Sequence, residues 1–297
     1  MQADTRRPVL FGEVLFDHFP DGSVVLGGAP FNVAWHLQAF GARPLLVSRV
    51  GDDPLGRKIR AAMQAWDMDC SGLQLDSSHP TGTVEVSLEG GEPSYEIVPH
   101  RAYDFVDGTV LPPLPAGSIL YHGSLALRHE VSRAALQQLR ARLQAPSFVD
   151  VNLRPPWWDR ERVVDGLRQA RWAKLNGDEL RLLYPQANGF DAGIEALLAD
   201  THLQVVVATR GARGALIRTR SGNTVEAAPK PGHLELVDAV GAGDAFASVL
   251  LLGLLRDWPL EDCLERAQAF ASAMVGVRGA TVDKPEFYER FRAYWET

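Results

Sequence analysis

Apolar positions along this chain follow two rhythms, and each predicts a different kind of strand. Short, largely apolar runs at 45–50, 118–122, 147–151, 173–175 and 205–208 predict strands buried on both faces. Stretches of helical character lie between the later runs, for example 131–143 and 160–170. Strands alternating with helices predict a doubly wound, mostly parallel sheet flanked by helices. The second rhythm is strict alternation. Val84, Val86 and Leu88 alternate with Thr83, Glu85 and Ser87, Gly90-Gly91 supplies a turn, and 95–98 returns. A hairpin of that pattern keeps one face wet.

A second hairpin stands near the start. Residues 9–19 read as a strand that leaves the main sheet, Asp21-Gly22 is a hairpin turn, and Val24-Val25-Leu26 returns. Two one-sided hairpins predict a small sheet projecting from the core, formed by roughly 14–28 and 82–100. Beside a ligand site such a sheet is a candidate lid. Between the first hairpin and residue 45, Pro30 opens a helix, Val33, Leu37 and Phe40 stripe it, and Gly41 caps it. Residues 215–219 and 224–228 read as short antiparallel strands, and 234–237 as another strand. Helices are expected at 245–255, 261–277 and 285–294. With no repeat or linker in view, residues 1–297 are read as one α/β domain.

The chemistry concentrates where the strand at 234–237 meets the helix at 245–255. The connection is Gly241-Ala242-Gly243-Asp244. Its glycines let the backbone turn sharply and approach a ligand. The helix start then offers free N–H groups and the positive end of its dipole to an anion. Asp244 beside such an anion hole is a candidate general base for phosphoryl transfer to an alcohol. Two other phosphate loops are excluded. A dinucleotide fingerprint needs a small residue where Phe246 stands. A Walker loop needs Gly-Lys, a pair the chain lacks.

Composition narrows the picture. The 297 residues are 46% hydrophobic, enough for a full core, and the net charge is −7. No Lys/Arg cluster appears in the sequence, which argues against nucleic-acid binding. The longest apolar run, 249–255, is too short to span a bilayer. Cys70 and Cys263 are far apart and in no metal spacing, so reduced thiols and a cytoplasmic location are expected. His18, His36 and His122 are expected in the core or on the surface rather than as metal ligands.

These residues together resemble the ribokinase (PfkB) family of sugar and nucleoside kinases, over roughly 9–285. The resemblance rests on Gly27-Gly28-Ala29-Pro30-Phe31-Asn32-Val33-Ala34 with Gly41 beyond, on Asn176-Gly177-Asp178-Glu179, on Thr209-Arg210-Gly211-Ala212-Arg213-Gly214, and on the stretch 238–246. Within the family the sequence looks most like fructokinases, through Gly12-Glu13, Gly123-Ser124 and Asp150-Val151-Asn152-Leu153-Arg154-Pro155-Pro156-Trp157-Trp158. It departs at Ala239, where the family usually has Thr, and at Val249, where it usually has Gly or Ala.

The resemblance implies a ribokinase-like fold and ATP-dependent transfer to a primary hydroxyl of a sugar, fructose first. The alternatives are 2-keto-3-deoxygluconate, ribose or a nucleoside, or a sugar-binding regulator without catalysis. Asp244 would be the base, with the amides of Gly241, Ala242 and Gly243 on the transferring phosphoryl group. Asp17, Gly28, Asn32 and Arg154 would hold the sugar. Thr209, Gly211 and Gly214 would shape the nucleotide loop. Asn176 and Glu179 would organise Mg²⁺ through water, and Asp238, Val240 and Gly279 mark a K⁺ site. The expected partners are a sugar and ATP, with the projecting hairpins a candidate homodimer surface.

Overall fold

The computed structural model describes residues 6–89, 92–228 and 240–295. Strand β1 (Val9–Phe11) opens the main sheet, and β2 (Leu15–His18) and β3 (Val24–Gly27) leave it before α1 (Ala29–Ala39). There follow β4 (Leu45–Gly51), α2 (Pro54–Ala65), β5 (Leu73–Asp76), β6 (Gly82–Glu89) and β7 (Glu92–Ile97). A regular series comes next, from β8 (Leu120–His122), α3 (Glu130–Leu143), β9 (Ser147–Asp150) and α4 (Arg160–Arg168) to β10 (Trp172–Asn176) and α5 (Gly177–Leu183). It continues through α6 (Phe190–Asp200), β11 (Val205–Thr209), β12 (Ala215–Thr219) and β13 (Thr224–Ala227). Helices α7 (Ala242–Leu255), α8 (Leu260–Met274) and α9 (Pro285–Trp295) close the chain.

The main sheet has nine strands in the order β13-β12-β11-β10-β9-β8-β1-β4-β5, among the described residues. It is parallel from β11 to β5, and β12 and β13 run antiparallel at one edge. The chain winds outward from β1 in both directions, through β4 to β5 on one side and through β8 to β11 on the other. The strand order therefore reverses between β1 and β8, and the carboxyl ends of those strands open a crevice.

Successive side chains feed opposite cores, because strand side chains alternate. Leu10, Tyr121 and Phe148 pack with residues of α1, α7 and α8 on one face. Val9, Phe11 and Leu120 pack with Ala135, Leu136 and Leu139 of α3 on the other. Val149, Val151, Ala173 and Leu175 join Val163 and Leu167 of α4 on that same second face.

A second sheet has the order β3-β2-β6-β7, so the two hairpins pair as the alternation predicts. β2 and β6 run parallel, with Leu15 opposite Gly82. Val84, Val86 and Ile97 are buried, while Val25 and Tyr95 are 38% and 51% exposed. The expected single strand over 9–19 is two strands in two sheets. At Gly12 the backbone has φ +153, and a Cβ there would lie 2.4 Å from Pro30 Cγ. Only glycine permits the close passage of α1 at the exit from β1.

The pattern did not single out α2, β5, α5 and α6. Helix α2 is amphipathic with Asp53 as N-cap, its side chain accepting from Gly56 N. The turn at Gly90-Gly91 and the strand expected at 234–237 lie outside the described residues. No described helix is long and apolar enough to cross a membrane.

The small sheet seats on Tyr103, whose ring lies 2.7 Å from where a Cβ on Gly82 would be. Tyr103 is fully buried and cannot swing away. Gly82→Ala should therefore destabilise by about 1–3 kcal/mol, as overpacked cores do. Denaturant melts of the two proteins check this, and an unchanged midpoint would show that Tyr103 yields.

Candidate active site

The sequence Gly-Ala-Gly-Asp folds into the first turn of α7. Gly241 is the N-cap with φ +78, and a Cβ there would sit 2.4 Å from the Cα of Ala280. Only glycine fits both the left-handed backbone and that contact. The first N–H groups of α7 have no partner within the helix, so Ala242, Gly243 and Asp244 present donors at the positive end of its dipole.

A buried cation stands under this turn. The Nζ of Lys174 donates to both carboxylate oxygens of Asp150, at 2.9 Å each. The Tyr121 hydroxyl donates to Asp150 Oδ2 at 3.2 Å. Lys174 is 8% and Asp150 1% exposed, so neither charge has water to rely on. Burial alone would lower the lysine pKa, but Asp150 outweighs it and holds Lys174 protonated above its ordinary range. The ammonium lies beside Gly243, 3.7 Å from where a Cβ would be. A larger residue at 243 would separate the anion hole from its cation.

Asp244 meets α1 across the crevice. Its Oδ2 accepts from Asn32 Nδ2 at 2.8 Å. Asp244 keeps a partial opening to solvent, yet protein atoms crowd its carboxyl, whose pKa is pushed up to about 6. Burial is the main cause, and the Asp150 charge adds to it. The Asn32 donor is the strongest opposing influence, ahead of Lys174 and Arg154. A carboxylate in that range accepts a proton readily near neutrality.

Around this pair stand further polar groups. Asp17, on β2, is pushed to about 6 by burial, against the pull of Arg154. Gly28 has φ +107, and a Cβ on it would lie 2.7 Å from the Glu13 carbonyl. Glu13 is 3% exposed, and burial drives its carboxyl to about 7 despite Arg154 and Arg128. The buried polar atoms without a partner among the described residues include Glu13 Oε2, Asn32 Oδ1, Thr83 Oγ1 and Tyr103 Oη. Native interiors rarely leave such atoms unpaired, and together they suit a ligand rich in hydroxyls.

Asp17, Gly28, Asn32 and the start of α7 therefore converge, with Arg154 exposed at the edge and electrostatically coupled to them. The sequence reading missed Glu13 and Lys174 as site residues. Both left a signal. Glu13 follows β1 at the crevice, and Lys174 is an ionisable residue inside an otherwise apolar parallel strand.

Asn176 and Thr209 are register partners at the carboxyl ends of β10 and β11. Asn176 Oδ1 accepts from the amides of Asp178 and Glu179, and Glu179 Oε2 accepts from Asn176 N. Glu179 Oε1 accepts from Leu153 N at 2.9 Å, so the carboxylate also pins the segment that bears Arg154. With these oxygens engaged by amides, the pair is better placed to hold a hydrated metal than to ligate one directly. Beyond Thr209, Gly211 and Gly214 have φ +57 and +81, and Arg210 N donates to Gly214 O at 2.7 Å to close the loop. Val240 is 48% exposed, and Gly279 precedes the Ala280 against which Gly241 packs. Asp238, the third residue of the expected K⁺ site, lies outside the described residues. His36 and His122 are buried and neutral, each pushed down to about 3 by burial, as expected of core histidines.

The chain is similar to known proteins over nearly its whole length. Residues 5–286 match the model of the pfkB family of carbohydrate kinases. The fructokinase of Salmonella typhimurium is 31% identical over 303 residues, covering 95% of this chain and 96% of its own. A fructokinase double mutant from Vibrio cholerae O395, solved with fructose, ADP and potassium ion, superposes with a TM-score of 0.81 at 28% identity, over 94% of this chain and 95% of that one. Aminoimidazole riboside kinase from Salmonella enterica, with aminoimidazole riboside and an ATP analog, gives 0.83 at 25% identity, over 96% of this chain and 100% of that one.

The Glu13 carboxyl gives the site a pH signature. Its native pKa of about 7 exceeds the ordinary 4.5, so the native state holds a proton that the unfolded chain releases. The stabilisation is full below 4.5 and is lost as pH rises through about 7. The loss is about 3 kcal/mol at one pKa unit per 1.36 kcal/mol. Glu13→Gln should raise Tm at pH 8 and change it little at pH 4. Equal melting of the two proteins at pH 8 would contradict the assignment.

Proposed function

This chain belongs to the pfkB family of carbohydrate kinases, and within it we propose that the protein transfers the γ-phosphoryl group of ATP to a primary hydroxyl of fructose. The observation that carries this reading is Asp244, held by Asn32 at the anion-binding start of α7 and pushed to about 6. Asp244 accepts the proton of the sugar hydroxyl, and the freed oxygen forms a bond to the γ-phosphorus. The bond from that phosphorus to the bridging oxygen breaks, and ADP leaves with the electron pair. The amides of Gly241, Ala242 and Gly243, with Lys174 behind them, meet the charge on the phosphoryl oxygens.

The remaining residues take positioning roles. Asp17, Asn32, Gly28 and Arg154 hold the sugar, and the unpartnered Glu13 oxygen supplies a further hydroxyl acceptor. Thr209, Gly211 and Gly214 shape the nucleotide loop. Asn176 and Glu179 would hold Mg²⁺ through water, and the ion would neutralise phosphate charge. The carbonyls of Val240 and Gly279, with Asp238, suit K⁺, in keeping with the potassium ion in the fructokinase relative. The chain acts as one catalytic unit, with the small sheet closing over the sugar.

A second reading is a nucleoside acceptor, since a kinase of aminoimidazole riboside shares the fold at 25% identity. ADP release across fructose, ribose, 2-keto-3-deoxygluconate and aminoimidazole riboside separates them. Fructose should give the highest kcat/KM. In the same assay Asp244→Asn should lower kcat by about 10²–10⁴-fold, the contribution of a positioned base. Sugar affinity by calorimetry should hardly change. A win for another acceptor overturns fructose alone, while an active Asp244→Asn overturns the base.

A further inference from the structure

A second cavity lies across the sheet from Lys174 and Asp150. It has a volume of about 260 Å³, between α3, α4 and the carboxyl ends of β8 and β9. Its wall is apolar at Leu136, Val149, Val151 and Val163, with Trp157 and Trp158 beside them. Neither Asp244, Asn32 nor Asp17 reaches it. The aromatic pair that follows Arg154 in sequence lines this cavity.

Four arginines also line the cavity: Arg128, Arg133, Arg140 and Arg162. The Arg128 side chain is 6% exposed, and its Nη1 is buried with no partner among the described residues. Arg140 donates to Gln169 Oε1 and to His122 Nε2, both at 2.8 Å, and its Nε is buried and unpartnered. Arg133 donates only to the carbonyls of Leu127 and Arg128. The two acids in the lining have other engagements. Asp159 caps α4 through Arg162 N, and Asp165 pairs with Arg168. His122 adds no charge, because burial, helped by Arg140, keeps it neutral. Among the described residues Arg140 has no carboxylate partner and burial disfavours its charge. At Arg133 burial and the neighbouring Arg162 outweigh the favourable pull of Glu130, with which it forms no salt bridge. A guanidinium in a half-buried apolar cavity without a counter-charge is costly unless a ligand supplies one.

From these observations we propose that this cavity is a second ligand site, taking an organic phosphate of about the size of a sugar phosphate. The arginine forks suit a phosphate, and the tryptophans offer flat apolar faces to a sugar ring. The volume exceeds what inorganic phosphate needs.

The site has two physical routes to the first. Arg128 lies 4.6 Å from the Trp157 ring centroid, donates to Val98 O just beyond β7, and pairs with Asp104. Val98 N in turn donates to Thr83 O of the small sheet. Trp157 N donates to Arg154 O, so the cavity wall and the sugar-side arginine share one turn. An occupant should therefore change the sugar KM more than kcat. That effect rests on the kinase reading, but the binding does not.

Calorimetry on the full chain tests the binding, with the first site saturated by fructose and a non-hydrolysable ATP analogue. The probes are glucose 6-phosphate, fructose 1-phosphate, inorganic phosphate and benzoate. One saturable site should remain for the sugar phosphates, with inorganic phosphate weaker. Arg140→Gln should weaken it by about tenfold or more, the loss of one charge-assisted contact. Arg133→Gln, at a more exposed position, should weaken it too, which keeps the test valid if the buried variant misfolds. Basal kcat of Arg133→Gln should match that of the parent. Absence of binding with the first site filled overturns the proposal. So does binding indifferent to Arg133 and Arg140, or benzoate outcompeting the phosphates. If binding holds but no acceptor is phosphorylated, the kinase reading fails and this site stands.

Discussion

The hydrogen bond from Asn32 to Asp244 joins two helix starts that are 212 positions apart in sequence. It governs the chemistry that the site can perform. Both α1 and α7 bring positive dipole ends into the crevice, and the Asp244 carboxyl stands between them. A salt bridge there would lower its pKa and leave a weak base. No partner at all would leave it protonated and inert. A neutral amide donor gives an intermediate state, with the acid near 6. The positive charge of Lys174 is placed under Gly243 instead, held there by both oxygens of Asp150.

The same arrangement explains why the site is a poor place for stability. Glu13, Asp17 and Asp244 are three acids held in surroundings that disfavour their charge. Asn32, Thr83, Tyr103 and Glu13 each keep a buried atom unpaired. A chain selected for stability alone would satisfy or remove these groups. Their presence at the strand-order reversal is the mark of a binding site, where a ligand completes the hydrogen bonding.

Much of this was legible in the sequence, for physical reasons. Parallel strands buried on both faces are largely apolar, so β4, β8, β9 and β11 stood out. Alternation exposed the one-sided hairpins of the small sheet. Gly241 to Gly243 marked the sharp turn into a helix, because glycine is needed where the backbone is left-handed and closely approached. The illegible parts are those where partners come from distant segments. Glu13 reads as an ordinary acid within a strand over 9–19 until the chain breaks between β1 and β2 and Gly28 packs against it. Lys174 reads as a break in an apolar run until Asp150 faces it. Asn32 was expected on the sugar alone, and nothing local reveals that its amide also holds the base. The arginines of the second cavity are scattered over α3, α4 and the loop after β8, so no cluster appears along the chain.

The account turns on Asn32 setting the proton affinity of Asp244, and the pH profile of kcat measures that directly. At saturating sugar and ATP, kcat should rise with pH through a limb near 6, where Asp244 loses its proton. In Asn32→Leu the opposing donor is gone, so the limb should move to higher pH. A limb that stays in place, or moves to lower pH, would contradict the account.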